Sequence, residues 1–222
     1  MKPRIKGKAF DYNNTRDRKF YDVMVTVFRY LPKILFKAKY IGLENVPKTG
    51  SLIIASNHRN AYDPGLIAAA KVRKIHYMAK LELFMINPLI SWFWRHCNAF
   101  PINRGHSDQS SVNYAIKLVE EGKVLGIFPE GTRSKTGQML PPKSGVALIA
   151  KATKADVLPV SIYFEGPSKL GKKMTIRFGE VIPYEELNIP EEATISDLKE
   201  ASKYIMSKIG ELLEKGHEDR GC

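Results

Sequence analysis

Cysteine is nearly missing from this chain: 2 of 222 residues, Cys97 and Cys222. Cys222 ends the sequence and Cys97 has no close partner. That excludes a disulfide framework and any paired-cysteine zinc spacing, and makes a reducing compartment the default. Long apolar runs are missing too. The best membrane candidate, Phe20 to Phe36, is interrupted by Asp22, Arg29, Pro32 and Lys33, whereas a span needs about 20 predominantly apolar residues. Polar residues follow Met1–Lys8, so no signal peptide is expected. The Gly-x-Ser-x-Gly pattern of a nucleophile elbow does not occur. No group of residues has metal-ligand spacing, and neither metal nor cofactor is expected.

What remains is a basic, well-filled chain. It is 44% hydrophobic, which suits one domain or one domain with a short appendage. With 35 Lys and Arg against 23 Asp and Glu, its net charge is +12. Such a surface attracts polyanions: nucleic acid, anionic headgroups or an acidic carrier. No nucleic-acid motif accompanies the charge, so nucleic acid is not an expected partner. Residues 1–18 read as a polar basic arm and the stretch to about Lys37 as one helix. Tyr21, Phe28, Tyr30 and Phe36 suit a headgroup layer if that helix lies in a membrane interface; the same residues suit a helix packed on the core. The expected division is 1–39, arm and amphipathic interfacial helix, and 40–222, main domain.

From Ser51 onward short apolar runs alternate with helical patterns. Ser51–Ser56, Ile75–Ala79, Ala99–Ile102, Val124–Phe128, Val157–Phe164 and Met174–Phe178 read as strands. Between them lie an Ala-rich helix opened by Asp63-Pro64, an aromatic helical region Leu81–Cys97, and helices over 108–121 and 144–154. Thr194 and Asp197 resemble a capping box before a last helix, whose Leu198, Tyr204, Ile205, Ile209 and Leu212 face the core. This alternation predicts an α/β fold with a mostly parallel central sheet flanked by helices. Sites in such folds gather where strands end.

Two segments follow strand ends and carry chemistry. The first is Ser56-Asn57-His58-Arg59-Asn60-Ala61-Tyr62-Asp63. In a regular helix, residues five apart are rotated about 140° from each other and share no face. With His58 ending a strand and Asp63 opening a helix, the turn can join them. Asp63 then holds one imidazole nitrogen protonated and leaves the other free to take a proton; the alternative is a capping aspartate beside an unrelated histidine. The second segment is Phe128-Pro129-Glu130-Gly131-Thr132-Arg133-Ser134. Gly131 permits positive φ or close approach, Arg133 suits a phosphate, and Glu130 can accept a hydroxyl or orient an arginine. Arg104, before Gly105, and Lys80, after a strand, are weaker cations of the same kind. His76 and His106 are minor counter-candidates for the base. The Trp92–Trp94 stretch reads as acyl groove, membrane wedge or plain core.

His58-x-x-x-x-Asp63, Phe100-Pro101-Ile102-Asn103-Arg104-Gly105, Phe128–Ser134 and Val157-Leu158-Pro159-Val160-Ser161 occur in order. They resemble the four sequence blocks of the glycerolipid acyltransferases, above all the 1-acylglycerol-3-phosphate (lysophosphatidate) acyltransferases. The resemblance spans about Ser51 to Ile162. It implies that His58 is the general base and Asp63 its orienting partner. Arg104 and Arg133 would hold the acceptor phosphate, Glu130, Gly131 and Thr132 would shape the glycerol pocket, and Pro159 would line the acyl side. Asn60 stands where the family often has a small hydroxyl residue, and the short N-terminal element departs from members with full spanning helices. The activity implied is acyl transfer from acyl-CoA or acyl carrier protein to lysophosphatidate, yielding phosphatidic acid. Its place would be the anionic cytoplasmic face of a membrane, as a peripheral or monotopic protein. Another lysolipid or glycerol 3-phosphate as acceptor, and a non-catalytic lipid-binding module, are the competing readings; an intact His58–Asp63 pair speaks against the module.

Overall fold

The structure is a computed structural model that describes residues 10–15, 17, 19–103, 108–166 and 171–218. Its strands are β1 (Lys39–Ile41), β2 (Leu52–Ser56), β3 (Ile75–Lys80), β4 (Ala99–Ile102), β5 (Val124–Ile127), β6 (Val157–Phe164) and β7 (Met174–Phe178). Its α-helices are α1 (Lys19–Phe28), α2 (Leu31–Phe36), α3 (Asp63–Ala68), α4 (Pro88–His96), α5 (Gln109–Glu120), α6 (Gly145–Thr153) and α7 (Ile195–Glu218). Among the described residues the strands form one seven-stranded sheet, ordered β1-β7-β6-β2-β5-β3-β4. From β2 to β6 each strand returns through a helix, and each pairing within that block is parallel. Between β6 and β7 the described residues hold no helix, and these two strands pair antiparallel. The roughly nine residues between Phe164 and Met174 are too few for the crossover, about a dozen residues or more, that a parallel pair needs.

The pleat of β2 builds both halves of the core. Leu52 and Ile54 join Leu66, Ile67 and Phe36, from α3 and α2, on one face. Ile53 and Ala55 join Leu118, Ile149, Ile205 and Ile209, from α5, α6 and α7, on the other. Successive side chains point to opposite faces of a strand. A strand covered on both sides is therefore largely apolar, and all five β2 residues are buried, the polar Ser56 at its end included. Each fully buried Leu or Ile here stabilises the fold by about 1.5–3 kcal/mol. The last helix starts at the expected capping box. Asp197 Oδ2 accepts from the Thr194 amide and hydroxyl, and Thr194 Oγ1 accepts from the Asp197 amide.

Two helical stretches are broken where one was expected. The N-terminal stretch divides into α1 and α2 at Arg29–Tyr30. Pro32, in the first turn of α2, has no N–H to continue the preceding ladder and restricts Leu31 before it. The stretch 81–97 divides into a 3-10 turn, Leu81–Phe84, and α4, whose cap Asn87 accepts the Ile90 amide just ahead of Pro88. α1 buries Tyr21 and Val25 beside Ala68. Phe20 packs edge-on against Trp92 of α4 at 5.0 Å. These elements also leave Val27, Phe28, Leu31, Ile34, Leu89 and part of Trp92 exposed. Among the described residues no helix is long and apolar enough to cross a membrane.

Candidate active site

β2 and β5 are parallel neighbours, and Ala55 lies beside Ile127 in register. His58 and Glu130 each come three residues later, so two segments 72 residues apart leave the sheet side by side. Asn57 sets the exit from β2. Its side-chain amide donates to the Ile162 carbonyl at 3.1 Å and accepts the Ile162 amide at 2.8 Å. It imitates a peptide group and carries the β2–β6 ladder one step further.

The expected turn is formed. Asp63 begins α3, with Pro64 following in its first turn. Asp63 Oδ2 lies 2.9 Å from His58 Nδ1 and also accepts the backbone N–H groups of Arg59 (2.6 Å) and Asn60 (2.7 Å). Asp63 is fully buried, so its carboxylate is held by these bonds in place of water. The same bonds wrap residues 58–63 around one oxygen atom. Facing a carboxylate, Nδ1 carries the proton, and Nε2 is left as the acceptor. The imidazole stacks on Phe128, centroids 4.1 Å apart and planes 19° apart. One ring edge is thus held by Asp63 and one face by Phe128. Nε2 has no partner among the described residues.

The second segment is clasped to the first. Glu130 Oε1 accepts the His58 amide at 2.7 Å, and the Ser134 amide donates to the His58 carbonyl at 2.8 Å. Residues 131–133 therefore bow outward beside His58, with Thr132 and Arg133 exposed at the crest. Gly131 has φ +67°, and a Cβ there would lie 2.9 Å from Lys143 Cδ. The backbone calls for glycine, whereas the end of the flexible Lys143 side chain could swing aside. Glu130 is buried, and its second oxygen accepts the Leu140 amide at 2.9 Å. Burial pushes this carboxyl above its ordinary range, against the two backbone N–H groups that pull it down. Its carboxylate braces the loop, a use that neither the hydroxyl-binding nor the arginine-orienting expectation anticipated.

The remaining sequence candidates fall as follows. Lys80 ends β3 on the same edge of the sheet, but its ammonium pairs with Glu82 at 2.9 Å on the surface. Arg104 lies outside the described residues; β4 ends at Ile102, on that same edge. Pro159 is buried within β6, and its carbonyl accepts the Gly179 amide. His76 has an acidic partner after all, Asp17, at 3.3 Å. It stands near the start of β3, at the end of the sheet away from His58. His106 lies outside the described residues. The Cys97 thiol is pushed up to about 11 by burial, which keeps it protonated and unreactive at neutral pH. The roles of Asn57, the Phe128 face, and the Ser134 and Leu140 amides are not declared by the sequence. Phe128 and Ser134 had a signal, their place in a recognisable block; Asn57 and Leu140 had none. Among the described residues no group of three or more His, Cys, Asp and Glu is placed to hold a metal ion.

Comparison with known proteins identifies the family. The family model described as Acyltransferase matches residues 37–163, which contain both segments. The 1-acyl-sn-glycerol-3-phosphate acyltransferase of Bacillus subtilis (strain 168) is 34% identical over 185 residues, covering 80% of this chain and 88% of that protein. The protein of the same name from Streptococcus pneumoniae is 29% identical over 223 residues, covering 94% and 82%. The crystal structure of the 1-acyl-sn-glycerophosphate (LPA) acyltransferase PlsC from Thermotoga maritima superposes with a TM-score of 0.65 at 26% identity, over 90% of this chain and 78% of that one. The chain is therefore an acyltransferase enzyme, and it belongs to the 1-acylglycerol-3-phosphate acyltransferase family of the glycerolipid acyltransferases.

Proposed function

We propose that the protein moves a fatty acyl chain from a thioester, acyl-CoA or acyl carrier protein, onto the free hydroxyl of 1-acylglycerol 3-phosphate, forming phosphatidic acid. The observation that carries this reading is the 2.9 Å contact of His58 Nδ1 with Asp63, which leaves Nε2 as a proton acceptor at the end of β2. Nε2 takes the hydroxyl proton as the oxygen attacks the thioester carbonyl. The Asp63 carboxylate and the Phe128 face steady the imidazolium that forms. The tetrahedral adduct then expels the thiolate, the imidazolium protonates it, and the base is regenerated. No side chain is acylated. Arg133, exposed beside His58, and Arg104 hold the acceptor phosphate. Lys80, on the same edge, adds positive charge. Glu130, Gly131 and Thr132 shape the glycerol side, Glu130 through the loop that it braces.

The lipid reaches this edge from a membrane, and the surface suits that approach. Exposed apolar residues on α1, α2 and α4 adjoin a chain of net charge +12, a combination that draws a protein onto an anionic cytoplasmic leaflet. One assay tests donor, acceptor and surface together. Purified protein receives lysophosphatidate in anionic vesicles with a long-chain acyl-CoA or acyl carrier protein, and thiol release is followed. Turnover with at least one donor, falling as salt is raised, is expected. No turnover with either donor sinks the proposed reaction, and a rate indifferent to salt and to vesicle charge removes the membrane reading.

A further inference from the structure

Next to His58 lies a cation that no sequence block singles out. The Arg59 amide is committed to Asp63 at 2.6 Å, but its side chain leaves in another direction. The guanidinium carbon lies 5.6 Å from the centre of the Phe164 ring, at the end of β6. Its Nη2 lies against Gly137: a Cβ on that residue would be only 2.6 Å away. Gly137 has φ +85°, a conformation that glycine adopts without strain. The Gly137 turn is itself fixed, because its amide donates to Ser134 Oγ at 3.1 Å and the Ser134 amide donates to the His58 carbonyl. The Arg59 side chain is partly buried, and among the described residues it has neither a carboxylate partner nor a hydrogen bond. A guanidinium resting on a ring face and beside a glycine, with no bonded partner among the described residues, retains its five N–H donors for a ligand.

The geometry points to Arg59 as a phosphate-binding residue of the site, one that determines specificity for a phosphate-bearing substrate. The inference rests on the acyl-transfer reading above. The acceptor is the favoured source of the phosphate. In lysophosphatidate the reacting hydroxyl and the phosphate sit on neighbouring carbons, and in the chain the proposed base and this guanidinium sit on neighbouring residues. Arg59 also adjoins the apolar approach. Phe164 meets Phe36 of α2 edge-on at 5.7 Å, and Phe36 stacks on the exposed Tyr62 at 5.4 Å. A lipid entering over α2 would bring its headgroup past this cation. A phosphate of CoA or of phosphopantetheine offers the same chemistry from the donor side.

Steady-state kinetics of Arg59→Ala, Arg59→Lys and Gly137→Ala, with acceptor and donor varied separately, tests this. A charge-assisted contact of this kind is worth about 10- to 100-fold in binding. Arg59→Ala should raise KM for lysophosphatidate by that factor while kcat changes little. Arg59→Lys should recover only part of the loss, because an ammonium lacks the planar fork. Gly137→Ala, which pushes the guanidinium from its seat, should reproduce the defect, and adding it to Arg59→Ala should add nothing in KM. The same rise confined to the donor KM would assign the phosphate to the donor. Unchanged KM values in Arg59→Ala, or a loss in kcat alone, would overturn the inference while the wild type still turns over. An inactive wild type would count against acyl transfer itself.

Discussion

His58→Ala should lower kcat by about 10²- to 10⁴-fold, the usual contribution of a positioned general base. KM for lysophosphatidate should move little, because the cations proposed to bind phosphate are untouched. The substitution separates chemistry from folding unusually well. Both backbone ties to the neighbouring loop, Glu130 to the His58 amide and Ser134 to its carbonyl, need no side chain at position 58. Asp63 keeps the amides of Arg59 and Asn60. The variant should therefore retain its circular dichroism spectrum and its binding to anionic vesicles. Full activity in that folded variant removes His58 from the chemistry.

Asp63 should show a double effect that two substitutions pull apart. In Asp63→Asn the shape is kept. If the amide oxygen takes the place of Oδ2, the three N–H groups remain bonded, but the imidazolium loses its counter-charge. If the amide turns the other way, its NH2 faces Nδ1 and forces the proton onto Nε2, so the ring can no longer act as base. Either way turnover should fall about 10²- to 10⁴-fold. In Asp63→Ala the amides of Arg59 and Asn60 lose their acceptor as well. These amides are only partly buried, so each costs at most the roughly 1–3 kcal/mol of a stranded buried group, and a lowered Tm should accompany the lost activity. Thermal melts beside kinetics decide the point. An inactive Asn variant with near-native Tm and a destabilised Ala variant are expected; equal stability in the two would mean that Asp63 does not hold the turn.

Much of this was legible because the pattern is local. Short apolar runs such as Leu52–Ser56 and Val124–Ile127 declared buried strands, and their alternation with helices implied a mostly parallel sheet. His58 and Asp63 lie within one turn, so a strand-to-helix junction was enough to join them. The reversed β7 depends on the shortness of the β6–β7 connection, which carries no apolar pattern of its own to read. The role of Glu130 was hidden for a different reason. A carboxylate that accepts backbone N–H groups leaves no trace in side-chain identity at positions 58 and 140, since any residue but proline supplies the donor. The Asn57–Ile162 pair and the His76–Asp17 contact are likewise tertiary, linking elements that are far apart in the chain. The split of α1 from α2 was written in Pro32, whose consequence for a continuous helix outweighs the apolar pattern around it.

The central claim is that His58 takes the proton of a lipid hydroxyl whose oxygen attacks the thioester directly, with no residue of the chain acylated on the way. Rapid mixing of enzyme at substrate-like concentration with long-chain acyl-CoA, with and without lysophosphatidate, tests it most directly. Thiol release should require the acceptor and should match phosphatidic acid formed, one for one. A burst of one thiol per enzyme in the absence of lysophosphatidate would reveal an acyl-enzyme and contradict the claim.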